Sequence, residues 1–148
     1  MKIIIASDHA GYSTKSYLYQ NLRLADGIEV RDIGCHSLGQ SDFPEFANKL
    51  CESMKSDEYT FGILVCGSGI GMSMAANRHK HIRCALCRSS DDAYASRRHN
   101  NANVLALGER FTSKELAMDI VGRFINTKFI ADEDDSYKKY QERMQMIS

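Results

Sequence analysis

A thiol followed by three alternating glycines, Cys66-Gly67-Ser68-Gly69-Ile70-Gly71, carries the richest chemistry in this sequence. The apolar run from Phe61 to Val65 leads straight into it, so a strand is expected to end at the thiol and a helix to begin near Ile70. Glycine at every second position lets the backbone bend tightly and turn its N–H groups inward, and the positive end of the helix dipole adds to the same spot. Such a turn cradles anions, and a cysteine at its lip ionises more readily than an ordinary one. Cys66 is thus a candidate for proton abstraction or covalent attack near neutral pH, the alternative being a structural turn after a buried strand cysteine.

Rival readings of the chain's other motifs fail on residue grounds. A dinucleotide fingerprint starting at Gly67 needs a glycine where Met72 stands, and a Walker loop needs a Lys-Ser/Thr pair that does not follow. The hydrolase elbow G-x-S-x-G is broken by Cys66 in its first position. Cys84 and Cys87 form a C-x-x-C, but within a strand-like run and with no second pair for zinc, so both are expected in the core. His79-Lys80-His81 has no further ligands near it in sequence and reads as a solvated turn. No metal site is expected.

These residues need a frame, and length and patterning supply one. The 148 residues suit a single domain, 1–148, with a real core, and nineteen basic residues balance nineteen acidic ones. No basic surplus points to nucleic acid or an anionic membrane, and no apolar run is long enough to span a bilayer. The N-terminus turns polar too soon for a signal peptide, and five scattered cysteines make a poor disulfide framework, so a cytoplasmic protein is expected.

Short β-rich runs at Lys2–Ser7, 28–33, 60–66, 82–87 and 103–107 alternate with helical stretches, the signature of an α/β fold on a parallel sheet. The first helix is expected from about Tyr12 to Ala25 and the second from Pro44, with Phe46, Ala47, Leu50, Cys51 and Met54 on one face. Thr112-Ser113-Lys114-Glu115 reads as a capping box before the last sheet helix. After Lys128 an acidic connector, Asp132 to Asp135, leads to Tyr137, Tyr140, Met144 and Ile147, a helix with one apolar face to bury on its own domain or on a partner.

In an open parallel sheet, ligands bind beyond the C-terminal strand ends, where the strand order reverses. Ser7-Asp8-His9-Ala10-Gly11 after strand one, the Cys66 loop after strand three, and His99-Asn100-Asn101 beside strand five are expected to gather there. If strands one and three flank the reversal, Asp8, His9 and Cys66 face one crevice. A thiol, a carboxylate, an imidazole and a ring of backbone N–H groups suit proton transfer next to a carbonyl, with the developing enolate held by the loop.

With Ser41-Asp42-Phe43-Pro44, Ala75-Ala76-Asn77 and the run from Arg98 to Gly108 added to these segments, the chain resembles the type B ribose-5-phosphate isomerases. That group lies within a wider family that includes galactose-6-phosphate and allose-6-phosphate isomerases. The resemblance runs from Lys2 to about Phe129. It implies a Rossmann-like three-layer α/β/α sandwich on a five-stranded parallel sheet with a C-terminal helical tail, and dimers or tetramers with shared sites. It implies aldose–ketose isomerisation of a small sugar phosphate, D-ribose 5-phosphate to D-ribulose 5-phosphate, through a cis-enediolate in the pentose phosphate pathway, without metal or organic cofactor.

On the same resemblance, Cys66 is the base, while Ser68 and the N–H groups of Gly67, Gly69, Ile70 and Gly71 hold the enediolate oxygens. Asp8 and His99 open the furanose ring, His99 coming from the neighbouring subunit with Asn100 among the substrate-binding residues. His9 and Arg110 hold the phosphate together with Lys139 and Arg143 of the tail. Relatives with a glutamate base carry it one helix turn later, where Met72 and Ser73 offer no carboxylate. Two departures stand out: Phe43 replaces a usual tyrosine, and the acidic insertion interrupts a tail in which relatives carry two arginines four residues apart. The resemblance also implies that residues 129–148 pack on a partner subunit. A hexose-6-phosphate isomerase is the near alternative, and a non-catalytic sugar-phosphate or nucleotide-binding module the distant one.

Overall fold

Every residue of Phe61–Cys66 (β3) is buried, the pattern of a strand covered on both faces. In the computed structural model, which describes residues 1–148, it lies at the centre of a sheet with Lys2–Ser7 (β1), Glu29–Asp32 (β2), Cys84–Leu86 (β4) and Val104–Gly108 (β5). The order is β2-β1-β3-β5-β4 and every pairing is parallel. The chain runs outward from β1 to β2 and then returns to the other side of β1 as β3, so the order reverses between β1 and β3. Register sets Ser7 opposite Val65 and Cys66 opposite Gly108, which brings the C-terminal ends of three strands abreast.

Six helices, Tyr12–Leu22 (α1), Phe43–Ser53 (α2), Ile70–Ala76 (α3), Ser90–Asn100 (α4), Lys114–Asn126 (α5) and Lys138–Met146 (α6), complete the chain. Alternate strand residues point to opposite faces and so build two cores. Ile3, Ile5, Ile63 and Leu105 pack with Leu18, Leu22, Ala93, Ile120 and Phe124 of α1, α4 and α5. Ile4, Leu64, Cys66 and Ala106 pack with Ala47, Leu50, Met72 and Ala76 of α2 and α3. The architecture is a three-layer α/β/α sandwich.

Several local expectations shift. Helix α1 ends at Leu22 instead of Ala25, because the chain unwinds toward the left-handed Gly27 and leaves Leu24 exposed. Helix α2 starts one residue before Pro44, which sits in its first turn where a missing N–H costs nothing. The cap of α5 is Ser113, whose side chain accepts from the Leu116 N–H, so the box does not run from Thr112 to Glu115. Strand β4 is a short edge that ends before Cys87, and the two cysteines of the C-x-x-C diverge: Cys87, just past the strand, joins the first core and Cys84 packs against the second. Burial pushes the Cys87 thiol up to about 11 and the Cys84 thiol further still, consistent with packing rather than redox chemistry.

The tail folds back onto its own chain. Glu133 pairs with Arg98 of α4 at 2.5 Å, and Tyr140 stacks on His99. Tyr137 lies in a short 3-10 turn before α6 instead of on it. Helix α6 has no fully buried residue, and Tyr137, Met146 and Ile147 stay exposed, so the apolar face is only partly covered at home.

Candidate active site

The turn after β1 is built by Asp8, which accepts from the Gly11 N–H at 3.1 Å and is nearly inaccessible. Gly11 must be glycine: a Cβ there would sit 2.4 Å from the Val65 carbonyl oxygen. This close approach brings Asp8 and His9 to the end of β3. His9 is fixed from the loop before α2, its N–H donating to the Ser41 hydroxyl at 3.0 Å and its Nδ1 lying 3.2 Å from the Ser41 N–H nitrogen and 3.1 Å from the Ser41 carbonyl. Its Nε2 is left for a ligand.

That loop is anchored from below. Lys15, 1% exposed, reaches both carboxylate oxygens of Asp32 at 2.8 and 2.7 Å and the Cys35 carbonyl at 2.6 Å. The Cys35 N–H in turn donates to the Ser7 carbonyl at 2.6 Å. A buried ammonium thus ties the segment after β2 across the end of β1.

Gly69 adopts φ +75°, a conformation that favours glycine, and the turn it makes aims its N–H at the Cys66 Sγ, 3.1 Å away. The Ser68 hydroxyl oxygen accepts from the Ile70 N–H at 3.2 Å, which leaves its proton free to donate elsewhere. The Arg110 guanidinium lies against Gly67, where a Cβ would come within 2.8 Å of it, and the Phe43 ring lies as close to Gly71. Glu109 holds this corner by accepting from the Thr14 N–H at 2.8 Å while its own N–H donates to the Cys66 carbonyl at 2.9 Å.

The result is a cleft of about 190 Å³ lined by Asp8, His9, Phe43, Cys66, Ser68 and Arg110, with Gly67 and Gly71 in its wall. A cation, an imidazole, a carboxylate and a thiol face one small space. That arrangement can hold an anionic group at Arg110 and His9 while moving a proton at Cys66. No group of three or more His, Cys, Asp or Glu side chains is placed to hold a metal ion, and no helix is long and apolar enough to cross a membrane.

His99 and Asn100 are not in this cleft. They end α4, which runs back to the start of β5, and the start of a parallel strand lies at the opposite end of the sheet from Cys66. The expectation that His99-Asn100-Asn101 gathers with the other loops in one chain is therefore corrected. His99 stacks on Tyr140, while Asn100 lines a separate cavity of about 440 Å³ with Asn77, Arg78, Arg83 and Ile147. Lys139 and Arg143 sit beside the Tyr140 ring, 5.5 and 5.4 Å from its centroid. The candidate residues thus form two clusters, one in the cleft and one where α4 meets α6.

Sequence reasoning assigned no role to Ser41 or Glu109, and to Tyr140 only a place on the apolar face of the tail helix. Each acts by contact between segments distant in sequence; Ser41 and Tyr140 lay within segments already singled out, the helix start at Asp42-Phe43-Pro44 and the apolar face of the tail, but not for these contacts.

Residues 3–147 match the ribose/galactose isomerase family. Ribose-5-phosphate isomerase B of Escherichia coli is 34% identical over 147 residues, spanning 99% of this chain and 94% of that one. A crystal structure of a ribose 5-phosphate isomerase from Thermotoga maritima superposes with a TM-score of 0.89 at 44% identity, covering 99% of this chain and 96% of that one. The type B ribose 5-phosphate isomerase of Trypanosoma brucei gives 0.90 at 37% identity, covering 99% and 95%.

Proposed function

The chain belongs to the ribose/galactose isomerase family and is a sugar-phosphate isomerase, and from that premise we propose that it interconverts D-ribose 5-phosphate and D-ribulose 5-phosphate with Cys66 as the base. The observation that carries this reading is the Gly69 N–H on the Cys66 Sγ at 3.1 Å, at the floor of a cleft that also holds Asp8, His9 and Arg110.

Arg110 and His9 take the phosphate, Arg110 by its planar fork and His9 through Nε2. With the ring open, the Cys66 thiolate removes the C2 proton of the aldose and leaves a cis-enediolate. Its negative charge develops next to the Ser68 hydroxyl, whose proton is free to donate, and the donors of the Gly67–Gly71 turn that Cys66 and Ser68 do not already engage. A proton passes from O2 to O1, and the thiol returns its proton to C1 to give the ketose. No redox partner is needed, since one carbon is oxidised as its neighbour is reduced.

Ring opening is assigned to Asp8 and to His99 of a second copy. His99, Asn100, Lys139 and Arg143 lie away from their own chain's cleft, while the rim of that cleft exposes Ile70 and Met74 of α3 and Phe111 after β5. A homodimer, or a tetramer of such dimers, that covers this rim and brings the α4–α6 cluster to its neighbour's cleft completes the site. Such an enzyme serves pentose phosphate interconversion in the cytoplasm.

The test is steady-state turnover of purified protein on ribose 5-phosphate and on allose 6-phosphate, with Cys66→Ala alongside. A higher kcat/KM on the pentose and a collapse of both activities in the variant are expected. Preference for the hexose moves the assignment to the allose 6-phosphate reaction, and an active Cys66→Ala protein removes the thiol from the mechanism.

A further inference from the structure

Two histidines carry the proposed chemistry, and the chain orients them by different means. His9 is held through Nδ1 by the backbone of Ser41. His99 is held by ring faces: Tyr140 stacks on it with centroids 5.5 Å apart and planes 24° apart, and Tyr94 meets it edge-on at 6.4 Å and 80°. Aromatic contacts fix the plane of an imidazole without occupying either nitrogen. A group that must take a proton from one sugar oxygen and give it to another needs that freedom.

The rest of the α4 terminus is built to be still. Arg97, buried between Phe61 and Phe124, donates to the Ala102 carbonyl at 2.6 Å, to Asn101 Oδ1 at 2.8 Å and to the Thr127 carbonyl at 3.3 Å. Arg98 ties the segment before α6 through Glu133 at 2.5 Å. His99, the next residue, has only the tyrosines. Tyr140 is also the ring beside which the Lys139 ammonium and the Arg143 guanidinium sit. One ring therefore stacks on the imidazole and lies beside two cations.

We propose that Tyr140 is a positioning residue for ring opening: its ring holds His99 in the proton-transferring orientation and links that orientation to the tail cations. The proposal rests on the assignment of ring opening to His99. Tyr140 itself touches no reacting atom. Its hydroxyl is not required, so phenylalanine should replace it.

The experiment compares Tyr140→Leu, Tyr140→Phe and His99→Ala in the full-length enzyme by two readouts. Turnover of equilibrated ribose 5-phosphate depends on opening the furanose. Wash-in of solvent deuterium at C1 of ribulose 5-phosphate needs the Cys66 proton transfer but no ring. Tyr140→Leu is expected to lose about tenfold or more in the first and to stay within about threefold in the second, since small misplacement of a general acid–base group is costly. Tyr140→Phe is expected to keep both. In NMR spectra, the His99 Hε1 resonance should lose its ring-current displacement in Tyr140→Leu and retain it in Tyr140→Phe.

Equal losses in both readouts for Tyr140→Leu overturn the proposal, because the tail would then act on binding alone. Impaired His99→Ala with unimpaired Tyr140→Leu overturns it while leaving His99 its task. Unimpaired His99→Ala removes ring opening from His99, and the role of Tyr140 falls with it.

Discussion

The backbone N–H of Gly69 points at the sulfur of Cys66 from 3.1 Å, and a single glycine in the left-handed region makes that aim possible. A Cβ at Gly69 would stand 2.5 Å from Leu86 Cδ1 and 2.9 Å from the Leu107 backbone carbon. Gly69→Ala is expected to cost about 1–3 kcal/mol through strain and overpacking together, read from the urea midpoint, and to lower kcat as the N–H turns away from sulfur. Unchanged turnover in a folded variant would show that this donor does not act on the thiol.

Cys66→Ala should reduce kcat by roughly 10²–10⁴ or more while sugar phosphate still binds, because a base acts in the transition state and the phosphate contacts remain. Isothermal titration with ribose 5-phosphate separates the two effects.

Alkylation should find Cys66 ahead of three other thiols. Burial pushes Cys51 up to about 12 and Cys87 up to about 11, with Cys84 higher still, so these stay as unreactive thiols across neutral pH. Iodoacetamide at pH 7 is expected to label Cys66 before these three and to abolish activity in step, with inorganic phosphate slowing both. Mass spectrometry of the labelled peptides decides it.

Lys15→Met removes the ammonium that holds Asp32 and the Cys35 carbonyl. Breaking a buried pair from one side leaves the other charge uncompensated, and because Asp32 is only partly buried a loss of about 3 kcal/mol is expected. The loop carrying Ser41 should loosen with it, so KM should rise as His9 loses its clamp. A variant of wild-type stability would mean that water replaces the lysine without penalty.

Truncation after Phe129 removes Glu133, Tyr140, Lys139 and Arg143 at once. It should raise KM strongly and weaken subunit association, measured by sedimentation; a truncated protein that keeps its KM and its assembly would show the tail to be a bystander.

The sequence made the frame legible because parallel strands buried on both faces are short apolar runs, and because Asp8, His9 and Cys66 each stand at the end of such a run. Arg110 could be placed from the resemblance once Gly108 ended β5. Legibility stopped where position depended on which end of the sheet a segment reaches. His99 lies close in sequence to β5 but at its start, and only the direction of the strand separates that from the cleft. The tail read as one apolar stripe, whereas Tyr140 serves a histidine, a lysine and an arginine. Ser113 took the cap from Thr112 by one residue, a distinction set by where the Thr112 side chain is buried.

Cys66 and His99 lie at opposite ends of one chain's sheet, and if two copies share a site as proposed this has a genetic consequence. Under the proposed sharing of sites between two copies, damage to either leaves the other half intact, so two impaired proteins should complement each other. Cys66→Ala and His99→Ala chains unfolded together and refolded as random dimers would yield mixed pairs in which one cleft inherits both faults and the other neither. About a quarter of wild-type turnover on ribose 5-phosphate should return from two impaired parents, as expected for an isologous pair that exchanges side chains across its axis.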